Sequence, residues 1–175
     1  MPPLDDDWRL LPFGDIDTIS GHPHDPQPIV VDGAWLTEPS PDAGLPAEVG
    51  AILAAATAGD DPTWQRCAEI RHTGGVVARG RATAPSSMGN RDHQFLLQLV
   101  AVTPDVAAAA DALAATKAAL GDHLSARTYL NGLDGPSRCA AAATSIDAAD
   151  VTAIAALRAE LDPTDVLRYG VDHRR

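Results

Sequence analysis

The segment RTYLNGLDG, residues 127–135, combines side chains that could bind a ligand. It holds one of only two tyrosines in the chain, and Tyr129 stands two residues before Asn131. If the segment is extended, alternation places both side chains on the same side, where a phenol and a carboxamide can donate and accept hydrogen bonds. The same pair could instead form a tyrosine corner that closes a loop. The segment by itself leaves both interpretations open.

Further polar side chains stand in two segments that have the composition of strands. The first is AEIRHTGG, residues 68–75, and the second is HQFLLQLVAV, residues 93–102. Burial of the larger apolar side chains under helices predicts an apolar face that contains Phe95, Leu97, Leu99 and Ile70. The opposite face then mixes charged, amide and aliphatic groups, which suits either solvent or a covering ligand. Its predicted polar members are Glu69, Arg71, Thr73, Gln94 and Gln98.

Glu69 admits two interpretations. A carboxylate inside a covered cleft can have its pKa raised towards neutrality and can act as a general base that removes a substrate proton. It can equally be the ion-pair partner of Arg71, two residues away, or of a residue on the next strand. Arg91, in the loop between the two strands, could bind a carboxylate or cofactor phosphates, or anchor the loop through an ion pair. His72 would face the helices in this register, which favours a structural role.

Metal and disulfide sites are not predicted. His22, His24 and Asp25 form an H-x-H-D cluster in a proline-rich loop, but no third distant ligand accompanies them. Cys67 and Cys139 fit neither a metal-ligand spacing nor a disulfide framework. Two free thiols that serve in packing indicate a cytoplasmic protein.

Length and composition limit the classes of protein. At 175 residues the chain is long enough for one domain with a hydrophobic core and too short for two comfortable ones. A formal net charge of -11 makes a nucleic acid or an anionic membrane an unfavourable partner. No apolar run reaches membrane-spanning length, and the first residues lack the pattern of a signal peptide. We therefore expect a soluble protein that is not exported.

The N-terminal part is expected to be extended and looping, because prolines and acids are frequent there. One or two strands are expected at PIVV and AWLT, around Asp32-Gly33, a dipeptide typical of hairpin turns. The first helix is expected in LPAEVGAILAAATAGD, where Pro46 suits an early helical position. We predict that residues 1–14 form an extended tail and that residues 15–175 form a single domain.

The C-terminal part is expected to supply two further helices. The first is TPDVAAAADALAATKAALGDH, with Thr103 as its cap and Gly121 at its end. After a short strand at Tyr129, the last helix is DAADVTAIAALRAELDP, stopped by Pro163. The order helix, strand, strand, helix, short strand, helix predicts an α+β fold. Its antiparallel sheet is expected to have helices packed on one face and a cleft on the other.

The ordered set of segments AEIRHTGGVVARG, NRDHQFLLQLVAV, RTYLNGLDG and LRAELDPTDVLRYGVDH has a counterpart in a known family. It resembles the C-terminal substrate-binding domain of FAD-linked oxidases of the berberine-bridge-enzyme type, in the vanillyl-alcohol-oxidase group. The resemblance covers roughly residues 15–173, and the order of the segments carries it, since no single motif is specific. The N-terminal FAD-binding domain of that family, with its glycine-rich pyrophosphate loop, has no counterpart in this sequence.

The resemblance implies that the sheet of this domain roofs the isoalloxazine ring of a flavin and that its strand residues meet the substrate. FAD is then expected only through a partner subunit, and none is expected on this chain alone. The implied assignments are catalysis by Glu69 and Tyr129, substrate binding by Arg71, Gln94 and Gln98, and cofactor contact by Asn131 and Arg91.

Three functions remain open at this point. The chain could be the substrate-binding subunit of an FAD-dependent oxidoreductase, covering a flavin held by a separate subunit and orienting a small organic substrate for oxidation. It could be a free-standing, flavin-free descendant that binds or cyclises a small hydrophobic metabolite. It could also be a non-catalytic protein that dimerises. In each case the exposed sheet face is expected to bind an FAD-bearing subunit, a small molecule or a second copy.

Overall fold

A computed structural model describes residues 9–19, 26–37, 44–59, 64–74, 77, 93–133, 141 and 144–166. Within these residues the chain forms one antiparallel sheet of three strands and three α-helices, with three short 3₁₀ helices. The predicted α+β class and antiparallel sheet are therefore confirmed. The strands are β1 (Ile29–Leu36), β2 (Gln65–His72) and β3 (Phe95–Val102), and the α-helices are α1 (Ala47–Thr57), α2 (Val106–Leu120) and α3 (Ala148–Leu161). The 3₁₀ helices are Phe13–Ile19, Gly121–His123 and Leu130–Gly132.

Strand β3 lies at the centre of the sheet, and the order is β1-β3-β2. It is the most apolar strand, FLLQLVAV, as expected of a strand that has a neighbour on both edges. The register places residues in rows across the sheet: Trp35, Leu96 and Arg71 form one row, and Gly33, Gln98 and Glu69 form the next. Residues in one row share a face of the sheet.

The hydrophobic core lies between the sheet and the helices α1 and α2. Leu97, Leu99 and Ala101 of β3 are buried on this helix-covered face, as the alternation predicts. Complete burial of a leucine side chain contributes about 1.5–3 kcal/mol, so this layer dominates the stability. Ile70 lies on the same face but is 38% exposed, because β2 is an edge strand and only part of it is covered. The helix residues of the core are Val49 and Leu53 of α1 and Ala109, Leu113 and Leu120 of α2.

An aspartate caps the start of α2, and a glycine ends the helix. Asp105 caps the helix, because its carboxylate accepts a hydrogen bond from the backbone N–H of Ala108 at 2.9 Å. The prediction that Thr103 is the cap is wrong: Thr103 is buried, and its hydroxyl accepts from the backbone N–H of Asp105 at 3.3 Å. Gly121 ends the helix with a φ of 48°, which confirms the predicted stop.

Asp32 and Gly33 lie inside β1 and do not form the predicted hairpin turn. The carboxylate of Asp32 instead accepts a hydrogen bond from Nζ of Lys117 on α2 at 2.8 Å. At Gly33 a Cβ would lie 3.0 Å from the backbone oxygen of Gly132. A glycine is therefore required here because two backbone segments approach closely, which is a common reason for a glycine within a strand.

Helix α3 contributes no buried residue to the core. It spans Ala148–Leu161 and ends ahead of Pro163, as predicted. Arg127 forms an ion pair with Asp147, the residue before the helix, and so ties its start to the chain after α2. Ahead of β1, the side chains of Leu10 and Phe13 are exposed to solvent. The predicted boundary at residue 14 falls within the 3₁₀ helix Phe13–Ile19.

Candidate functional site

The candidate site is the open face, the face of the sheet opposite α1 and α2. On β3 it presents three half-buried side chains, Gln98, Val100 and Val102, and one buried side chain, Leu96. On β2 it presents four exposed side chains, which are Gln65, Cys67, Glu69 and Arg71. The surface is apolar and aliphatic at the end of β3 and charged at the far end of β2. Such a mixture suits a flat organic ligand or a second protein surface.

The β1 side of the open face is covered by residues 125–133, which we name the Tyr129 segment. Isolated bridges pair Leu124 with Leu36 and Leu133 with Asp32, so the chain follows the outer edge of β1 and bulges between these two points. The bulge brings the backbone of Gly132 against Gly33. The open face is therefore divided into a covered half, which comprises β1 and the adjoining Leu96 of β3, and an uncovered half on β2 and the rest of β3.

An aromatic cluster lies under this bulge. The ring of Trp35 is 1% exposed and meets the ring of Tyr129 edge-on, with 6.0 Å between centroids. On its other side Trp35 stacks with His93, at 6.1 Å and an interplanar angle of 28°. The indole Nε1 of Trp35 is buried and has no hydrogen-bond acceptor in the part of the chain that the structure describes. A buried donor without an acceptor costs about 1–3 kcal/mol. Within the described residues, Nε1 of Trp64, which packs against the core, is in the same state.

Tyr129 and Asn131 do not lie side by side. Leu130–Gly132 is a 3₁₀ helix, so the predicted short strand at this position is wrong and the alternation argument does not apply. Tyr129 is half-buried against Trp35, whereas Asn131 is exposed. The backbone N–H of Gly132 donates to the carbonyl of Tyr129 at 3.0 Å, which closes the turn. This bond belongs to the 3₁₀ helix, and the tyrosine-corner interpretation, which requires a hydrogen bond from the phenol, stays a prediction.

Glu69 and Arg71 form a two-bonded ion pair on β2. Arg71 donates from Nε and Nη2 to the two carboxylate oxygens of Glu69, at 2.7 and 2.8 Å. Both side chains are about half exposed, at 47% and 51%. The hydrogen bonds from Arg71 lower the pKa of Glu69 below its ordinary value of 4.5. The pKa of Glu69 is thus lowered and not raised in the uncovered chain, and the geometry supports the ion-pair interpretation.

Tyr129 lies within electrostatic range of Arg71, across the open face. The pKa of Arg71 is raised mainly by its hydrogen bonds to Glu69, and the charge of an ionised Tyr129 adds a smaller effect in the same direction. Arg71 and Trp35 belong to the same row of the sheet, with Leu96 between them. The structure therefore brings together Tyr129, Arg71, Glu69 and Gln98 on one face, with Leu96 as their floor.

Gln94 does not join this group. Its side-chain Oε1 lies 3.3 Å from Nε2 of His72, whose ring stacks with Phe95 at the margin of the helix-covered face. His93, in turn, contacts Trp35 on the open face. The alternation of β3 therefore does not extend to these two residues, because the strand begins at Phe95. The prediction that Gln94 lies beside Gln98 is wrong for this reason.

Several predicted residues fall outside the part that the structure describes. Arg91, the H-x-H-D cluster at His22, and Cys139 are among them, so their predicted roles stay predictions. Cys67 is a free, exposed thiol and not the packing residue that the sequence suggested. Among the described residues, no group of three histidine, cysteine, aspartate or glutamate side chains is arranged to hold a metal ion.

Trp35 and His93 are the members of the site that the sequence analysis missed. The sequence places Trp35 and His93 in predicted strand segments and indicates no contact between them. A useful signal was present, because one of three tryptophans stands in an otherwise small and aliphatic strand, IVVDGAWL. A large side chain there needs a covering segment, and Gly33 two residues earlier leaves space for one.

A second concave surface lies along α3. It has a volume of about 290 Å³ and is lined by small and charged side chains. Arg158 forms an ion pair with Asp165 across it, so its principal charges are already neutralised. None of the predicted site residues lines this groove.

Comparison with known proteins identifies no family for this chain. No protein-family model matches the chain, and a search of curated proteins gives no match. The fold and site define an α+β domain with an antiparallel sheet that has one helix-covered and one open face. No helix in the described ranges is both long and apolar enough to cross a membrane.

Proposed function

We propose that this chain is the substrate-binding domain or subunit of an FAD-dependent oxidoreductase of the berberine-bridge type. Its open face would cover a flavin held by a separate subunit and would orient a small organic substrate for oxidation. The observation that carries the proposal is the uncovered half of the open face. There an aliphatic surface borders the Arg71 guanidinium, the Gln98 amide and the Tyr129 ring. A cytoplasmic setting is part of the proposal, since Cys67 is a free thiol.

The chemistry of this surface fits a flavin ring. An isoalloxazine ring is flat, with an apolar edge and an edge that carries carbonyl oxygens and ring nitrogens. The half-buried Val100 and Val102 offer an apolar surface to the first, and the donors of Gln98 and Arg71 suit the second. Bound FAD would supply a hydride acceptor for the substrate. The residues of this chain would bind, orient and exclude water from the reacting molecule.

Within the proposal, Tyr129 and Arg71 have the direct roles. The guanidinium would bind an acceptor oxygen on the substrate, and the phenol would hold a proton next to it. Glu69 serves Arg71 in this scheme: its carboxylate, kept ionised by a lowered pKa, fixes the guanidinium in one orientation. Asn131 is exposed at the rim of the Tyr129 segment, where a cofactor held by the other subunit could meet it.

The test is co-purification of flavin with the tagged chain from the cells that encode it. We expect a yellow complex with about one flavin per chain, whereas the chain produced alone is colourless. Arg71→Ala should reduce the retained flavin at least about tenfold, the loss expected when a charged hydrogen-bonding group is removed. Asp111→Ala, at an exposed position on α2, is the matched control and should retain it. Flavin on the isolated chain, or a colourless complex from the native cells, would contradict the proposal.

A further inference from the structure

The outer edge of β2 has no neighbouring strand within the part of the chain that the structure describes. Strand β2 pairs only with β3 in the described sheet, and its residues 69–72 are all exposed. The backbone N–H of Thr73 donates to the carbonyl of Gln94, which fixes the phase of the β2–β3 ladder. Because hydrogen-bonded pairs alternate along an antiparallel ladder, Glu69 and Arg71 bond inward to β3. The N–H and C=O groups of Ala68, Ile70 and His72 therefore point outward.

The side chains of this edge are complementary to themselves. Suppose that β2 of a second copy pairs antiparallel with this strand so that the two Ile70 residues stand opposite each other. Glu69 of each chain then stands opposite Arg71 of the other chain. The outward-facing groups allow shifts of two residues, and the two nearest shifts place Glu69 opposite Glu69 or Arg71 opposite Arg71. Opposite charges favour the first register, and like charges disfavour its two neighbours.

The other face of the same edge favours the same register. Ile70 is 38% exposed although it lies on the helix-covered face, and in this register it would contact its own symmetry copy. Edge strands that avoid pairing often contain proline, lysine or a bulge. Strand β2, QRCAEIRH, contains neither proline nor lysine and runs in unbroken register with β3. The edge thus lacks a proline, lysine or bulge, and its charged Glu69 and Arg71 are of opposite sign, so they attract in this register.

We infer that two copies of this chain associate through β2, edge to edge, around a two-fold axis at Ile70. The two three-stranded sheets then form one continuous antiparallel sheet. Both open faces lie on the same side of it, because a two-fold axis perpendicular to a sheet does not exchange its faces. On the open side, the Glu69–Arg71 pair of each chain lies against that of the other in opposite orientation, so that the four side chains form one charge-alternating cluster. The Ile70 contact holds the junction on the helix side. This dimer uses the sheet edge and leaves the open face available.

The first test measures the dissociation constant of the dimer by analytical ultracentrifugation. Glu69→Arg places like charges opposite each other twice and should weaken the dimer about tenfold or more. Asp111→Arg makes the same change in net charge at an exposed position on α2 and should leave the constant unchanged. The double exchange Glu69→Arg, Arg71→Glu restores the complementary pairs and should restore the dimer. Failure of this rescue, or a wild-type chain that stays monomeric, overturns the inference.

The second test concerns the backbone and the register. Ile70→Pro removes an outward N–H, which an edge strand tolerates, so the circular dichroism spectrum should persist while the dimer is lost. In a variant without native cysteines, Ile70→Cys should form an intermolecular disulfide under mild oxidation. Native Cys67 should not, because the inferred register separates the two Cys67 residues by about 20 Å. A dimer that survives Ile70→Pro, or that forms a disulfide through Cys67, lies on another surface and overturns the inference.

Discussion

The two faces of β3 differ in how completely they are covered, although their residues alternate along one strand. Leu97, Leu99 and Ala101 are almost completely buried on the helix-covered face. Gln98, Val100 and Val102, their direct neighbours on the open face, are only half-buried. The first set forms the core on which folding depends. The second set leaves apolar surface that the described part of the chain does not fully cover, which is typical of a binding surface.

Truncation of one residue on each face measures this difference most directly. Leu97→Ala removes a side chain with 0% exposure and should lower the free energy of unfolding by about 2–5 kcal/mol. Val100→Ala, on the open face, should lower it by about 1 kcal/mol or less. Denaturant unfolding of the two variants and the wild type provides the measurement. Equal losses at the two positions would mean that both faces belong to one core, and the open face would no longer be a candidate site.

The boundary between the two halves of the open face can be tested at Gly33. A Cβ there would lie 3.0 Å from the backbone oxygen of Gly132, so Gly33→Ala forces β1 and the Tyr129 segment apart. We expect a loss of about 1–3 kcal/mol in the free energy of unfolding, the usual cost of overpacking. The indole fluorescence of Trp35 should also shift as the Tyr129 ring moves away.

The control for Gly33→Ala is Gly50→Ala in α1. A Cβ at Gly50 meets nothing within 4 Å, so this variant should be more stable by about 0.5–1 kcal/mol. The two substitutions are chemically identical, and only their surroundings differ. A neutral Gly33→Ala would show that residues 129–133 do not rest on β1, and the aromatic cluster would then lose its cover.

The helix-covered face could be predicted from the sequence because it depends on short-range periodicity. The alternation of FLLQLVAV and the spacing of Val49 and Leu53 in α1 each identify a buried side without reference to the rest of the chain. The start of α2 was harder to predict, because several nearby polar residues can cap the free backbone N–H groups. Asp105 is the cap, and not Thr103, because its carboxylate accepts a hydrogen bond from the N–H of Ala108.

The open face could be predicted only in part, because long-range contacts determine it. Glu69, Arg71 and Gln98 follow from strand alternation, and the structure does place them together. The burial of Trp35 and the 3₁₀ turn after Tyr129 follow from the approach of Gly132 to Gly33, about one hundred residues apart in sequence. No local pattern signals that approach. Family resemblance suggested that Tyr129 belongs near the site, but its partners there are Trp35 and Arg71 and not Asn131.

The smallest expected effect separates the two interpretations of Glu69. A carboxylate whose folded pKa is lowered adds stability above its unfolded pKa, and this stability is lost as the pH falls through the folded value. In the Ile70→Pro background, which removes the inferred dimer contact, Arg71→Gln should therefore reduce stability slightly at neutral pH. The difference should disappear as the pH falls below the ordinary glutamate value of 4.5. High salt should also shrink it, since both groups are half exposed.

Nuclear magnetic resonance titration of the Glu69 carboxyl group supplies the direct measurement of this last effect. The wild-type pKa should lie below 4.5, and Arg71→Gln should return it towards that value, because the hydrogen bonds from the guanidinium are its largest cause. In a Glu69→Gln background, the effect of Arg71→Gln on stability should be the same at every pH in this range. A wild-type pKa above 4.5 would restore the general-base role for Glu69. It would also point to a covered open face in solution, since burial is the contribution that opposes Arg71 at Glu69.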